Sequence, residues 1–311
     1  MMHTEAEAAE NSVLHITKAG TYILEGSWKG QIWIDLGETD DTFADERARV
    51  TLVLNGVDIE CTVAPGIVFY SLYECQYAWE YLEKHTRIVD LSKAWARIII
   101  ADGSENSVSG CNIFRMLKAK YKYEEDTHRV KLQKKMRKID GALYSCVSLV
   151  VDGEKEGSGR LIINSSFEGL DSELHLALNG GEIIINAADD GINVNEDKVS
   201  VVYLNGGKIT INPAQGAEGD GVDSNGFIVI NGGEIRINNV RIPDSDFDSW
   251  RGVYYYGGTV IIDGKELSLS KGNQGREFSG EKEDPTGDQD VPSGGDRQNP
   301  GGQGGSQGED P

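Results

Sequence analysis

Short apolar runs recur along this 311-residue chain, and the most regular of them follow a pair of glycines. The clearest copies are LNGGEIIIN from Leu178, LNGGKITIN from Leu204 and INGGEIRIN from Ile230, so successive copies begin 26 residues apart. Looser copies are YGGTVIID from Tyr256, GSGRLIIN at 157–164 and RVTLVLNGVDI at 49–59. A regular interval of this kind is typical of proteins built from stacked repeats.

Each repeat predicts a turn, a short β-strand rich in branched residues, an acidic bend and a second short strand. One such unit cannot bury its own apolar face, so neighbouring units must stack. Identical strands one repeat apart then pair in parallel at about 4.8 Å, and the links between strands are too short for crossover helices. The pattern therefore predicts an all-β fold, a parallel β-helix (β-solenoid). An antiparallel sandwich would not explain the same residue at the same phase of each repeat.

The two ends of the chain depart from the repeat. Residues 1–12 are predicted to be a flexible leader, followed by a parallel β-helix domain at 13–270. Residues 271–311 contain 11 Gly and 4 Pro and almost no large apolar side chains. We therefore predict that they form a disordered tail or linker.

An insert at about 71–138 interrupts the domain, and part of it is predicted to be helical. YECQYAWEYLEKH (73–85) has aromatic residues on partly helical spacing. RVKLQKKMRKI (129–139) places Leu132, Met136 and Ile139 at positions i, i+4 and i+7, which predicts a basic amphipathic helix or a mobile segment. Between these two stretches, residues 96–110 have the pattern of a further strand pair.

The bends of the repeats concentrate oxygen-bearing side chains. EGLDS (168–172), DGINV (190–194) and DGVDS (220–224) share the form acid, Gly, aliphatic, Asp or Asn, and DSDFDSW (244–250) is a degenerate fourth copy. Stacked repeats would align these bends into two columns. One column comprises Asp171, Asn193, Asp223 and Asp248, the other comprises Glu168, Asp190 and Asp220, and Asp189 and Asp246 adjoin them.

Stacked carboxylates need relief from their mutual repulsion, which is about 1 kcal/mol for a pair about 5 Å apart in water and larger where water is excluded. Full exposure, a raised pKa or a bound divalent cation would each supply it. Among metals Ca²⁺ fits best, because it takes about six to eight oxygen ligands in irregular geometry. The alternative is that Asp and Asn simply cap the backbone at bends. That explains one bend more easily than a column of four.

Charge narrows the classes of partner. The formal net charge of -21 argues against nucleic acid, because phosphate binding needs a basic face. Residues 171–250 carry 14 Asp and Glu against 4 Lys and Arg, which suits cation binding. Residues 115–138 carry 10 Lys and Arg against 3 Asp and Glu, and a basic insert of this kind suits an anionic polymer.

Targeting signals and cysteines are less informative. No apolar run reaches the roughly 18 residues of a membrane span, and no signal peptide is visible at the amino terminus. The four cysteines (Cys61, Cys75, Cys111 and Cys146) show no C-x-x-C spacing. They are interpreted as buried free thiols, with one or two disulfides as the alternative. The sequence does not predict an oligomeric state.

Several of these stretches resemble a known family. NGGEIIINAADDGINVNED, NGGKITIN, GDGVDSNGFIVINGGEIRIN and the entry strand ITKAGTYILEGSWKGQIWID (16–35) are similar to the secreted bacterial carbohydrate-binding domain family first catalogued as a domain of unknown function. The resemblance covers about 13–270. It implies a right-handed parallel β-helix like that of polysaccharide lyases, bound calcium, an extracellular or cell-surface location, and cellulose or pectic polymers as ligands. At matching positions it implies calcium-binding acids at Asp189, Asp190, Asp220 and Asp223, with Asn193 beside them.

These observations together predict a calcium-binding, non-catalytic protein that binds plant cell-wall polysaccharide. Sugars stack on flat aromatic faces, and Trp250 is the first candidate because it lies on a polar bend, with Tyr254 nearby. Arg241 and Arg251 are suited to pair with the carboxylates of an acidic polymer such as polygalacturonate. Two alternatives stay open: a calcium-dependent polyuronate lyase with an arginine base, and a structural or adhesive surface protein.

Overall fold

Parallel pairing of the repeated strands organises the structure. The computed structural model describes residues 3–37, 49–72, 87–124, 129–214, 219–238 and 246–278, with the backbone alone at 114–124, 129–137 and 276–278. Within these residues one short helix precedes 24 strands. The all-β class predicted from the repeats is therefore confirmed.

The elements follow one another at short intervals. Those of the amino-terminal third are α1 Glu5–Ala9, β1 Ser12–Ile16, β2 Gly20–Asp35, β3 Val50–Glu60, β4 Ile67–Ser71, β5 Ala96–Ile100 and β6 Glu105–Gly110. The next are β7 Ile113–Glu124, β8 Arg129–Ile139, β9 Gly141–Ser145, β10 Leu149–Gly153, β11 Arg160–Ser165, β12 Glu168–Ser172, β13 His175–Leu178 and β14 Glu182–Ala187. The last are β15 Ile192–Val194, β16 Val201–Leu204, β17 Lys208–Pro213, β18 Val222–Ser224, β19 Phe227–Ile230, β20 Glu234–Ile237, β21 Phe247–Tyr255, β22 Thr259–Ile262, β23 Lys265–Glu266 and β24 Gly272–Phe278.

Three parallel ladders contain most of these strands. The first ladder runs β1, β2, β4, β9, β12, β15, β18 and the start of β21. The second runs β2, β3, β5, β10, β13, β16, β19 and the end of β21. The third runs β2, β3, β6, β11, β14, β17, β20 and β22. From β9 to β18, each strand pairs with the strand three places further along the chain.

The register aligns the repeats as the sequence predicts. Leu178 pairs with Leu204, and Leu204 pairs with Ile230, so identical positions of successive repeats lie side by side. The second glycine of each pair allows the tight turn, because Gly181, Gly207 and Gly233 have φ of 82°, 78° and 84°. Residues with a β-carbon adopt such angles rarely.

Aliphatic rows from the three ladders form one continuous core. Ile183, Ile209 and Ile235 occupy the same position in β14, β17 and β20, and all three are buried. The first and second ladders contribute rows of the same kind to the same cluster. Each rung thus buries the apolar face of its neighbours, which is the physical reason for the repeat.

The outer face of the third ladder carries two regular polar rows. One alternates in charge from strand to strand, with Glu105, Arg160, Glu182, Lys208 and Glu234 opposite one another in turn. The ion pairs Arg160–Glu182 and Lys208–Glu182 have N–O distances of 2.8 and 3.1 Å. The other row consists of Asn164, Asn186, Asn212 and Asn238, and each of the last three donates to the amide oxygen of the asparagine before it.

The predicted helix at 129–139 is wrong. These residues form β8, which pairs antiparallel with β7, so that Leu117 is opposite Met136 and Tyr121 is opposite Leu132. Apolar and basic residues alternate with a period of two in β7, as in LKAKYKY, and this favours a hairpin over a helix. The other stretch predicted to be helical, 73–85, lies outside the described residues. Residues 96–110 form β5 and β6 of the ladders, as expected.

The carboxyl end of the ladders is covered by antiparallel strands. β23 pairs with β22, and β24 pairs with β21. The disordered tail predicted from residue 271 therefore begins too early, because Gly272–Phe278 is part of the sheet. Residues 279–311 lie outside the described range.

The amino-terminal residues predicted to be a leader include α1, whose Thr4 and Glu7 form a reciprocal capping box. Cys61 and Cys111 are buried free thiols, and Cys146 is half-buried. Cys75 lies outside the described residues. No helix in the described part of the chain is long and apolar enough to cross a membrane.

Candidate metal centre

The acidic bends of the first ladder stack in register. Asp171 of β12 pairs with Asn193 of β15, Asn193 pairs with Asp223 of β18, and Asp223 pairs with Asp248 of β21. This is the column that the sequence predicts, because acid, Gly, aliphatic and Asp/Asn recur at one phase of the repeat. Each rung therefore adds an oxygen-bearing side chain at the spacing of adjacent strands.

Three aspartates come together at the carboxyl-terminal part of this column. Asp220, Asp223 and Asp248 each offer a carboxylate oxygen, and these oxygens all lie within 4.8 Å of one another. All three residues are half-buried. Among the described residues they are the one group of three or more acidic, histidine or cysteine ligands that meets this distance. We call Asp220, Asp223 and Asp248 the aspartate trio.

Further oxygens lie toward the amino-terminal part of the column. Asn193 donates from Nδ2 to Glu168 Oε1 at 2.9 Å, and Asn195 donates to Asp171 Oδ1 at 2.7 Å. The Oδ1 of Asn193 and the Oε2 of Glu168 are buried and find no hydrogen-bond partner among the described residues. Buried acceptors without a donor are costly, so they indicate a missing proton or cation. The side chains of Glu168 and Asp171 lie within hydrogen-bonding reach of each other. Two carboxyl groups in this position also require a shared proton or a cation between them.

The environment raises the pKa of the column acids. Burial raises the pKa of Glu168 to about 8. Burial, followed by the negative charges of Asp248 and Asp220, raises the pKa of Asp223 to about 7. Burial also raises the pKa of Asp171 and of Asp190 well above the ordinary range, with Glu168 and Asp223 respectively as the next largest causes. Stacked carboxylates thus resist ionisation unless a positive charge joins them.

Close packing explains the glycine of each bend. A β-carbon on Gly191 would lie 2.1 Å from Cγ2 of Ile211 and 2.8 Å from the carbonyl oxygen of Gly221. Gly169 and Gly221 are crowded in the same way by the rung that follows. Of the two reasons for glycine, a positive φ and the approach of a neighbouring strand, the second applies here. Gly therefore permits the rungs to stack where the acids meet.

The remaining predicted metal ligands lie beside the aspartate trio. Asp190 is half-buried, and its Oδ1 accepts a hydrogen bond from the amide of Asp220 at 2.6 Å, which joins two successive bends. Asp189, also half-buried, precedes it on the bend. Asp246 is buried just before β21, and its carbonyl oxygen accepts from the Val222 amide at 3.0 Å.

This set of donors fits a hard divalent cation. Carboxylates and an amide oxygen from adjacent rungs are the ligands that Ca²⁺ prefers, and no cysteine or histidine belongs to the group. The unpartnered oxygen of Asn193 and the raised pKa values of its neighbours point the same way, because each would be relieved by positive charge.

The predicted sugar-contacting residues are placed unevenly. Trp250 is half-buried on β21 and shares its outer side with Asp248, since both alternate with the buried Phe247 and Ser249. Arg251 follows, and its Nε is buried without a hydrogen-bond partner in the part of the chain that is described. Tyr254 packs against Phe227, 6.1 Å between ring centroids. Arg241 lies outside the described residues.

Two basic residues that the sequence did not single out cover these aromatic rings. The Nζ of Lys198 lies 5.2 Å from the Trp250 ring centroid, and the Arg87 guanidinium lies 4.4 Å from that of Tyr254. Both distances suit cation–π contacts. Lys198 also has φ of 65°, a conformation that non-glycine residues rarely adopt. Neither contact has a local motif that would reveal it, because each joins residues far apart in the sequence.

Comparison with known proteins identifies the family. A family model described as carbohydrate-binding domain-containing protein matches residues 85–287, more than half of the chain and all of the acidic column. The chain belongs to this family. The resemblance inferred from the repeats is thus confirmed.

Among solved structures, this family member is similar to a polysaccharide lyase-like protein from C. thermocellum, determined as a gadolinium derivative. The two share 23% identity over 81% of this chain and 85% of that one, with a TM-score of 0.48. No curated protein matches the sequence.

Proposed function

We propose that this protein is a calcium-binding, non-catalytic carbohydrate-binding protein whose three ladders wind as a right-handed parallel β-helix. Support for the winding comes from strand pairing three places apart and from the 26-residue interval, because one turn per repeat produces both. The family supplies the ligand class, which is carbohydrate. By resemblance, we place the protein outside the cell or on its surface.

The aspartate trio carries the proposal of calcium. Ca²⁺ bound between Asp220, Asp223 and Asp248 would neutralise carboxylates that otherwise repel one another across adjacent rungs. The chain's own residues orient these ligands: the Asp220 amide is held by Asp190, and glycine at each bend lets the rungs approach. The cation would thereby join bends that are far apart in the sequence.

Polysaccharide binding is assigned to the outer side of β21. Trp250 offers an aromatic face two residues from Asp248, and Lys198 and Arg251 supply positive charge beside it. Such a combination suits an acidic sugar, whose ring stacks on tryptophan while its carboxylate pairs with a cation. Pectic polymers such as polygalacturonate therefore fit better than neutral cellulose.

Thermal melting with EDTA and then with added Ca²⁺ tests the metal. A ligand bound by the native state alone stabilises it by mass action, and 100-fold excess over Kd adds about 2.7 kcal/mol. We expect the melting temperature to fall with EDTA and to recover with Ca²⁺. The variant Asp223→Asn should lose most of this response, whereas Glu156→Gln, which removes an exposed acid between β10 and β11, outside the first ladder, should keep it. If the wild-type melting temperature responds to neither reagent, the acids of the column cap the backbone at the bends and do not bind Ca²⁺.

Affinity electrophoresis in polygalacturonate gels, alongside sedimentation with insoluble cellulose, tests the sugar. Wild-type protein should be retarded by polygalacturonate, and Trp250→Ala should not be, although its response to Ca²⁺ should persist. Unaltered retardation of Trp250→Ala would move the binding surface elsewhere.

The same substrate decides between binding and lyase activity. Absorbance of unsaturated uronate should stay at baseline with protein and Ca²⁺. Product formation that disappears in Arg251→Ala would replace the binding-only proposal with a lyase.

A further inference from the structure

The amino-terminal end of the ladders presents open strand edges. Within the described residues, β1 pairs with β2 alone, and Gly20–Leu24 of β2 pairs with β3 alone. The opposite end differs, because β23 and β24 cover β22 and β21 there. Edge strands offer a row of amide donors and carbonyl acceptors to any further strand. One end of the ladders is thus closed and the other is able to accept a partner.

Apolar side chains are concentrated at the same end. Val13, Leu14 and Ile23 are 50%, 39% and 65% exposed, and they are three of the five large apolar residues exposed in the described chain. Leu14 pairs with Ile32, which pairs with Ile67, and these two neighbours are 2% and 0% exposed. Leu14 therefore ends a core row that no described strand or helix covers.

Other core-facing residues at this end are also incompletely covered. Tyr22, Leu24 and Trp28 pack against the core but remain only partly buried, and the Trp28 Nε1 is buried without a partner among the described residues. Helix α1 contributes no buried residue, so it does not seal the end. Stacked-repeat proteins need a polar terminal unit to remain soluble on their own, and none of the described elements supplies one at this end.

Charge favours a second copy of this chain as the occupant. The whole chain carries a net charge of -21, so two copies repel each other over most of their surface. Residues 11–24, which include both open edges, contain Lys18 and His15 and no Asp or Glu. Two copies are therefore able to approach end to end here without bringing carboxylates together.

We propose that the amino-terminal edges, β1 and Gly20–Leu24 of β2, form a head-to-head interface between two copies of the chain. A two-fold axis at this end sets an edge strand of one protomer antiparallel to the same strand of its partner, which satisfies backbone groups on both. The exposed Val13, Leu14 and Ile23 then lie against the end of the partner. This interface involves none of the residues assigned to calcium or sugar.

Sedimentation velocity of the full chain from about 1 to about 100 µM tests the interface, a range that spans the dissociation constants of weak and moderate dimers. We expect twice the monomer mass at the upper end, with or without EDTA. Ile23→Lys and Val13→Lys should each shift dissociation at least tenfold toward monomer, and their melting temperatures should match wild type at the low end of the range, where dimerisation no longer stabilises it. Ile88→Lys is the matched control, because Ile88 is 70% exposed on a segment that contacts the second ladder elsewhere, and it should remain dimeric.

A wild-type protein that stays monomeric from about 1 to about 100 µM would overturn the proposal. A dimer that is insensitive to both lysine variants would overturn it as well. Hydrogen exchange tests the interface on the wild-type protein alone. Amides of residues 12–16 and 20–24 should be protected at high concentration and exchange faster on dilution, while those of β16 should not change. Equal exchange at both concentrations contradicts the interface even if a variant fails to fold.

Discussion

His175 is fully buried in β13, and its Nδ1 accepts a hydrogen bond from the Val201 amide at 3.1 Å. Burial lowers the pKa of His175 to about 3, so the folded protein holds it neutral. Between that value and the ordinary one near 6.5, the unfolded chain binds a proton that the folded chain does not. This residue therefore lowers the free energy of unfolding as pH falls, by about 1.4 kcal/mol per pH unit.

The variant His175→Asn, whose amide oxygen is able to accept from Val201, should lose this pH dependence. We expect the wild-type-minus-variant difference in unfolding free energy to decrease by about 2 kcal/mol between pH 7 and pH 5, measured by urea titration. An identical difference at both pH values would contradict the assignment.

Gly191 supports the bend by its lack of a β-carbon. Gly191→Ala places that carbon 2.1 Å from Ile211 Cγ2, so we expect a loss of about 3 kcal/mol, since crowding in a packed core costs about 1–3 kcal/mol or more. Gly56→Ala is the comparison, because its β-carbon meets nothing within 4 Å and the cost of about 1 kcal/mol comes from its positive φ. Urea midpoints measure both, and equal losses would rule out crowding.

At the scale of elements, the asparagine row of the third ladder is a chain of side-chain hydrogen bonds. Asn186 donates to Asn164 and accepts from Asn212, at 2.8 and 2.9 Å, whereas Asn238 donates to Asn212 at the end of the row. Asn186→Ala should therefore cost about 2 kcal/mol and Asn238→Ala about 1 kcal/mol, at about 1 kcal/mol per bond. Thermal or urea unfolding compares the two, and a larger effect at Asn238 would show that the row does not act as described.

The β7–β8 hairpin forms a separate two-stranded sheet. Ile113 pairs with Ile139, so the chain is able to close there with a short Asn-Gly turn in place of 114–138. We expect the shortened protein to melt within about 3 °C of wild type, because the ladders keep all their pairings. Weaker retardation by polygalacturonate after the deletion would assign the basic residues a role in binding, and a large drop in melting temperature would contradict the separation.

The ladders were predictable because each repeat carries the same signal at the same phase. For this reason the shared pattern of the bends predicts the column of Asp171, Asn193, Asp223 and Asp248. The sequence of residues 129–139 does not by itself distinguish a helix from a strand, because Leu132 and Met136 fit a period of four and a period of two alike. Pairing with β7 decides for the strand. The contact of Lys198 with Trp250 depends on a positive φ and on the neighbouring rung, and neither leaves a pattern in the sequence.

At the scale of the whole molecule, protons and Ca²⁺ are expected to replace each other in relieving the repulsion between buried carboxylates. Asp140, Asp223 and Glu168 have pKa values raised to about 6, 7 and 8, each mainly by burial. A raised carboxyl pKa contributes stability that is complete below about pH 4 and is lost as pH rises through the folded-state value. The metal-free protein should therefore become less stable from about pH 5 to pH 8.

Melting curves in EDTA across this range measure the effect, and excess Ca²⁺ should flatten the decline because it replaces the protons that the acids lose. Glu168→Gln should reduce the slope in EDTA, because it removes the carboxyl group with the highest of the three values. A melting temperature in EDTA that rises steadily with pH would contradict the assignment of these raised values.

The alternating row from Glu105 to Glu234 has a consequence for how the chain finds its register. The repeats are so alike that a strand could skip its neighbour and pair with the next copy at little loss of apolar contact. Skipping one rung would set Glu182 against Glu234, two like charges, where the native arrangement sets each against Lys208. Like charges directly opposite each other destabilise a strand pair. The row therefore distinguishes repeats whose apolar residues are equivalent in the core. It biases folding toward the pairing of each repeat with the next one along the chain.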